Sequence, residues 1–328
     1  MKTKYFKIFL SLIVFSLAIF SCDAPRDNPL DPNNTENNIS TINGIVKTHG
    51  FPFTPIYNVN VHWENGNAVV QTNQFGEYNI PSVIKKNGWL KFKHEGYSDD
   101  STFIDWGDSK AKTIEILLNS KPKLDSLEFF SVVENRFQSN QKSELRVRAR
   151  VSDFEGVNDI VSVFIGNEEL DLLKTLTYDH TEDFYESELT LSDLKVSSLN
   201  EIIGKDFEIL VNDLEEKIFV VGITNIKRII NEEIELIAPL NNETVGELIK
   251  FNWVRYSPGY NHTFRIEIFT KETFPTLVYS EGNIPEGSIT RTVISGFPNG
   301  NYFWTIWAVD EFHNQSRSKE GSFIIETN

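Results

Sequence analysis

The stretch GFPNGNYFWTIWAVDEFHNQSRS, Gly296–Ser318, decides how the end of the chain is read. Within it Tyr302, Trp304, Ile306 and Ala308 alternate with Phe303, Thr305 and Trp307. A period of two belongs to an extended strand, whose successive side chains point to opposite faces. The spacing predicts a strand that buries Tyr302, Trp304, Ile306 and Ala308 in a core. Phe303, Thr305 and Trp307 then fall on the opposite face.

Outward from this stretch the same grammar recurs. Beyond residue 40 there is no long run of helical period. Short alternating runs rich in Val, Ile, Phe and Tyr lie between Gly, Pro, Asn and Asp turns. That is the pattern of β-sandwiches. Composition breaks near Asn119–Pro122 and near Ile230–Glu233 divide the region into three segments, about 40–119, 120–231 and 232–328. The expected fold class is all-β, with three sandwiches in tandem.

In the first segment, INGIVKT, YNVNVHW and TNQFGEYNI place Ile42, Val46, Val59, Val61, Trp63, Tyr78 and Ile80 inward. Gly44, Val46, Pro55, Val59, Val61, Thr72, Gly76, Tyr78, Ile80, Gly96 and Tyr97 fall in an order that resembles the carboxypeptidase regulatory-like domain. Asn73 stands where that family usually has Asp. The resemblance implies a prealbumin-like sandwich that serves as an accessory module and holds no catalytic residue. In the last segment, LIAPLNNETV and IKFNWV supply two strands, with Trp253 as core tryptophan. Together with Phe297, Gly300, Tyr302, Trp304, Ile306, Ala308 and Asp310, they resemble a fibronectin type III domain. The middle segment alternates cleanly in SELRVRARVSD, which turns Leu145, Val147, Ala149 and Val151 inward. Its DFEGVNDI turn is similar to those of bacterial Ig-like domains. An Ig-like sandwich and a looser Greek-key arrangement both fit it.

The amino terminus reads differently. Lys2, Lys4 and Lys7 precede an apolar run from Ile8 to Phe20, which stops at Ser21 and Cys22. A basic start and a short apolar run make a signal peptide, residues 1–21, too short for a permanent span. The Ser21-Cys22 junction resembles the lipobox of bacterial lipoproteins, with Phe20 where a smaller residue is common. The resemblance implies acylation of Cys22. Several acyl chains anchor a protein stably without a spanning helix. Residues 22–39, rich in Asp, Asn and Pro, cannot bury apolar surface and are expected to form a flexible tether. Its 17 residues after Cys22 would reach about 60 Å when extended. The expected location is the bacterial cell envelope, on the outer membrane, facing the periplasm or the cell surface.

Composition narrows the function. The 328 residues are 40% hydrophobic and 12% aromatic, enough for packed cores. The formal charge is −16, and loss of residues 1–21 removes three lysines and no acid. Such a chain is repelled by phosphate backbones, which argues against nucleic acid as a partner. A single cysteine rules out an internal disulfide and a thiolate metal cluster. His49, His62, His94, His180, His262 and His313 are scattered, and none sits in an H-E-x-x-H or H-x-x-E arrangement. No G-x-S-x-G elbow and no Walker-type loop is present. The expectation is a protein that is not an enzyme.

Four sets of residues remain as candidates. Phe303 and Trp307, outward on their strand, could stack on sugar rings, or could be covered by a neighbouring domain or by long side chains. Trp89 and Trp106 raise the same two possibilities. Arg146, Arg148 and Arg150 line one strand face. They would hold an acidic glycan or phosphate-bearing polymer, or pair across strands with Glu186, Glu188 or Glu208. Asp153, Glu155, Asn158 and Asp159 bunch in one turn, with Asp213 in a similar turn later. Clustered carboxylates suit calcium, while Asp and Asn also cap turns unaided. The functional expectation is a lipid-anchored envelope protein for binding, display or scaffolding. The alternatives are a carbohydrate-binding accessory lipoprotein of a glycan uptake or degradation system, and an enzyme with an unrecognised site. Partners would be the membrane, through the lipid, and glycans or other envelope proteins.

Overall fold

The structure, a computed structural model, describes residues 39–137, 141–294 and 296–327. The expected signal peptide, Cys22 and all but the last residue of the tether lie outside them. The chain divides into two compact units, which meet between Lys121 and Pro122. Among the described residues, no helix is long and apolar enough to cross a membrane.

The first unit contains seven strands: β1 (Ile39–Thr48), β2 (Asn60–Trp63), β3 (Ala68–Gln71), β4 (Glu77–Ile84), β5 (Gly88–Lys93), β6 (Asp100–Ile104) and β7 (Ala111–Leu118). They form two sheets, ordered β4-β1-β7 and β3-β2-β5-β6. The alternation expected from the sequence is what packs them. Ile42 and Val46 from one sheet meet Val61, Trp63, Leu90 and Phe92 from the other in a single core, joined by Val59 just before β2. Strand β1 runs parallel to β7 and antiparallel to β4, with Gly44 opposite both Ile114 and Tyr78. The Tyr78 hydroxyl donates to the Ile114 carbonyl across that glycine, at 3.1 Å. A Cβ on Gly44 would lie 1.8 Å from the same carbonyl oxygen, so only glycine fits this approach.

The second unit begins with β8 (Lys123–Glu134), β9 (Lys142–Ser152), β10 (Ile160–Asn167), β11 (Leu172–Asp179) and β12 (Phe184–Thr190). A short helix α1 (Leu191–Leu194) follows, then β13 (Phe207–Asp213) and β14 (Ile218–Thr224). Strand β11 serves two layers: its first half pairs with β10 and its second half with β12. β8, β9 and β12 thereby face β10, β13 and β14 across one core, which holds Leu145, Val147, Ala149, Val163, Ile165 and Ile209. Helix α1 is started by side chains and ended by backbone, with Lys195 in the left-handed conformation donating its N–H to the Leu191 and Ser192 carbonyls. Thr190 and Asp193 bond each other's backbone as a capping box.

The remaining strands are β15 (Leu236–Ala238), β16 (Glu243–Val245), β17 (Leu248–Trp253), β18 (His262–Thr270), β19 (Leu277–Pro285), β20 (Thr290–Ile294), β21 (Gly300–Asp310), β22 (Gln315–Arg317) and β23 (Gly321–Ile325). Sheet β15-β17-β20 lies over β19-β18-β21, whose far edge continues through β22 and through β23-β16. Tyr302, Trp304, Ile306 and Ala308 enter the core between them, as their period requires, beside Phe251, Trp253 and Phe264. The polar ends of Trp304 and Tyr302 find partners, whereas the buried Trp253 indole N–H has none among the described residues. Trp304 Nε1 donates to the Pro239 carbonyl at 2.9 Å, and the Tyr302 hydroxyl donates to the Pro298 carbonyl at 2.9 Å.

One feature was not legible in the alternation. Strand β22 pairs in parallel with β8, Gln315 opposite Val132 and Arg317 opposite Glu134. The middle and last sandwiches therefore share a continuous sheet rather than hanging on a free linker. Their seam is polar and buried. Asn314 Oδ1 accepts from the Ser131 backbone N–H at 2.9 Å and from its hydroxyl at 3.0 Å. Asn135 donates to the Arg317 carbonyl at 2.9 Å. Arg228 stacks 4.4 Å from the Tyr260 ring centroid and approaches Asp310 at 3.6 Å. The connecting segment is itself packed: Ile229 belongs to the middle core and Ile234 to the last. The composition break near Ile230–Glu233 thus falls on a segment held at both ends.

Candidate functional sites

The outward face of β21 is not open. Phe303 is 9% exposed and Trp307 is 7% exposed. The expectation of displayed aromatics on this strand is corrected by what flanks it. Antiparallel β18 places Arg265 opposite Trp307 and Phe269 opposite Phe303. Phe269 stacks on Phe303 with ring centroids 5.1 Å apart, and the Arg265 guanidinium lies 4.9 Å from the Trp307 ring. Arg317 closes the other side of the indole at 5.9 Å. The indole N–H is also committed, donating to Glu267 at 2.7 Å. Long side chains of neighbouring strands cover the face, one of the two possibilities the sequence left open.

The β5–β6 face of the first unit differs. Trp106 is a core residue, its indole N–H donating to the Lys86 carbonyl at 3.2 Å. Trp89, by contrast, is 44% exposed and sits opposite Phe103, 52% exposed. Their rings meet edge to face with centroids 5.4 Å apart. Gly88, Leu90 and Phe92 point inward, so period two already turned Trp89 outward. Its pairing with Phe103 depends on the register between two strands, which the sequence does not state. Lys91, the next outward residue of β5, lies opposite His62 on β2.

Arg146, Arg148 and Arg150 lie on the outer face of β9, as expected, and each has acidic neighbours. Arg146 pairs with the buried Glu144 at 2.9 Å and with Glu188 at 3.3 Å. Arg148 pairs with Glu182, with Glu186 at 3.2 Å and with Glu128 at 3.4 Å. Arg150 approaches Asp183 at 3.4 Å and donates to the Glu182 carbonyl at 3.0 Å. Arg148 and Arg150 also lie 4.5 and 4.3 Å from the Phe184 ring centroid. Glu186 and Glu188 come from β12, the neighbour of β9. Glu208 is on β13, which pairs with β10 and β14 instead. Glu128, Glu144, Glu182 and Asp183 were not anticipated, because strand order and loop position decide them. A concavity of about 710 Å³ opens here. Arg146 and Arg148 line it with five carboxylates: Glu128, Asp179, Glu182, Glu186 and Glu188. Its net charge is negative, which disfavours the acidic glycan or phosphate considered from the arginines alone.

Asp153, Glu155 and Asp159 do come together. One carboxylate oxygen from each lies within 4.8 Å of the others. Asp153 and Glu155 stand in the turn after β9, and Asp159 closes a single 3-10 turn, Val157–Asp159. The turn starts at Gly156, whose φ of +94° is strained for any other residue. Asp153 Oδ1 accepts from the Glu155 N–H at 2.8 Å. The Asp159 carbonyl accepts from the Leu214 N–H at 3.0 Å, stitching this turn to the β13–β14 hairpin. Burial, then repulsion from Glu155, Asp153, Asp213 and Glu215, pushes the Asp159 carboxyl up to about 6. Asp213 belongs to the same neighbourhood, and Glu215 joins it from the hairpin. Asn158 is next in chain to Asp159.

No protein-family profile matches the chain, and no curated protein matches its sequence. Among solved structures, it is similar to the fibronectin(III)-like modules of CbhA from Clostridium thermocellum. That match has 14% identity over 63% of this chain and 94% of the other, with a TM-score of 0.30. It is similar to the FN1–FN3 domains of chicken CNTN1 at 9% identity, over 83% of this chain and 92% of the other, with a TM-score of 0.32. It is also similar to a putative carbohydrate binding protein from Bacteroides uniformis. There the identity is 10%, over 57% of this chain and 99% of the other, with a TM-score of 0.22. At these values no ligand or role passes from them to this chain.

Proposed function

We propose that the protein is a non-catalytic binding protein of the bacterial cell envelope, held by lipid at Cys22, that takes carbohydrate on its first unit. The observation that carries the binding part is the Trp89–Phe103 pair, two large rings in contact and half open to solvent. Single exposed apolar residues are ordinary, but a contiguous aromatic patch on a sheet face is a contact surface. An aromatic face complements the apolar C–H side of a sugar ring. Lys91 and His62 stand beside the pair as polar groups able to bond hydroxyls. The anchoring part rests on the basic start, the apolar run and the Ser21-Cys22 junction. The absence of a recognisable nucleophile, zinc or phosphate motif in the sequence supports a role without catalysis.

The test is affinity electrophoresis of residues 40–328 through gels containing neutral polysaccharides. A retarding polysaccharide should be found, and Trp89→Ala and Phe103→Ala should each abolish most of the retardation. Retention of full retardation in both variants would end the stacking proposal. Anchoring is tested separately, by fractionating cells that express Cys22→Ala. That variant should leave the membrane fraction or persist as an uncleaved precursor. If it fractionates and migrates like the parent, the lipid attachment is wrong.

A further inference from the structure

We propose that the turn after β9 and the β13–β14 hairpin together form a calcium site, with Asp153, Glu155 and Asp159 as its first ligands and Asp213 and Glu215 completing its charge.

Two independent observations carry this. The first is convergence. Calcium takes six to eight oxygens at about 2.3–2.6 Å, so oxygens on opposite sides of one ion are about 5 Å apart. The three carboxylates present oxygens within 4.8 Å of one another, a spread that a single ion spans without moving the backbone. Five acidic residues from two loops gather here, and the Leu214 N–H to Asp159 carbonyl bond holds those loops in register. The second is an unsatisfied atom. Asp159 is 5% exposed, and its Oδ2 has no hydrogen-bond partner among the described residues. A buried carboxylate oxygen without a donor is costly. An ordinary acidic turn avoids the cost by capping its own backbone N–H groups. Asp153 does so through Oδ1 toward Glu155, and Asp213 does so through Oδ1 toward the Lys217 N–H at 2.8 Å. Asp159 does not, although it lies deepest among the first three. Its side chain is placed to meet a cation, and a hard, oxygen-seeking divalent ion matches a donor set made of carboxylates.

The bound ion would neutralise mutual repulsion among these groups and tie the exit of β9 to the hairpin that follows β13. The experiment is scanning calorimetry of the purified full-length protein in detergent, stripped with EGTA and then titrated with CaCl2 or MgCl2. Extracellular modules hold calcium with dissociation constants of about 10⁻⁴–10⁻³ M, so about 10 mM CaCl2 should raise the melting temperature of the second unit by roughly 3–10 °C. Asp159→Asn should melt at or above the parent in EGTA, since it removes a buried charge, and should lose the calcium response. Glu155→Gln, at a half-buried position of the turn, should weaken the response at least tenfold in calcium concentration. It keeps the test open if Asp159→Asn does not fold. No rise in the parent, an equal rise with MgCl2, or an undiminished rise in the folded variants would each overturn the assignment.

Discussion

Replacing Asn314 by alanine should loosen the seam between the two sandwiches of the second unit. Asn314 is 1% exposed and binds in two directions. Its Oδ1 accepts from the Ser131 N–H and hydroxyl, and its Nδ2 donates to Asp310 Oδ2 at 3.2 Å. Alanine leaves the Ser131 N–H without an acceptor. That N–H is fully buried in β8 and cannot turn away, which costs roughly 1–3 kcal/mol. Asp310 loses one donor to a charged acceptor, about another 1.5–3 kcal/mol, while keeping its bonds from the Phe312 and Asn314 N–H groups. The Ser131 hydroxyl rotates freely and adds little. A water admitted to the vacated space would recover part, so about 3 kcal/mol is expected in total. For a unit of this size that lowers the melting temperature by roughly 6–12 °C. Calorimetry of the whole chain reads it, with the first unit's transition as internal reference. Ser131→Ala is the control: it removes the hydroxyl and leaves the N–H bonded, so it should cost about 1 kcal/mol. A melting temperature for Asn314→Ala within about 2 °C of the parent, or equal to that of Ser131→Ala, would refute the argument that a buried amide secures the seam.

Trp307→Ala should cost stability by about 3 kcal/mol, because the indole is buried between Arg265 and Arg317 and bonded to Glu267; thermal unfolding followed by circular dichroism checks it. An unchanged melting curve would restore the idea of a displayed ring. Gly44→Ala should destabilise the first unit by about 2–3 kcal/mol or more, since its Cβ would strike the Ile114 carbonyl under Tyr78; urea unfolding measures this. Asp193 supplies a pH test. Its bond from Lys174, then those from Thr190, hold its carboxyl down at about 2. A depressed carboxyl stabilises the fold above its unfolded value, near 4, and loses that contribution as pH falls from about 4 to about 2. Asp193→Asn should therefore be less stable than the parent at pH 6, and the gap should shrink at pH 3. A gap independent of pH would assign the effect to the helix cap rather than to charge.

Much of this molecule was determined by sequence pattern, and for a physical reason. Period-two alternation is a local property of a strand packed on one face. Leu145, Val147, Ala149 and Val151 therefore declared their inward side, as did Tyr302, Trp304, Ile306 and Ala308. The turn chemistry that bounds strands is equally local, which is why Gly76, Gly156 and the acidic turn at Asp153–Asp159 could be placed in advance. The outward residues were a different matter. Alternation says that Trp307 and Trp89 both leave their cores, and says nothing of what waits outside. Strand neighbours settle that. Arg265 and Arg317 enclose Trp307, while Phe103 sits beside Trp89 and leaves it half open. The partners of Arg148 come from β8, β12 and the turn before β12, a grouping set by strand order. The parallel pairing of β22 with β8 joins residues more than 180 positions apart through Ser131 and Asn314. No local pattern encodes such a contact. The sequence by itself determined strands, faces and turns, because each follows from neighbours along the chain. Only the tertiary structure decided which outward faces stay open and which carboxylates converge, because those depend on register and on which strands lie side by side.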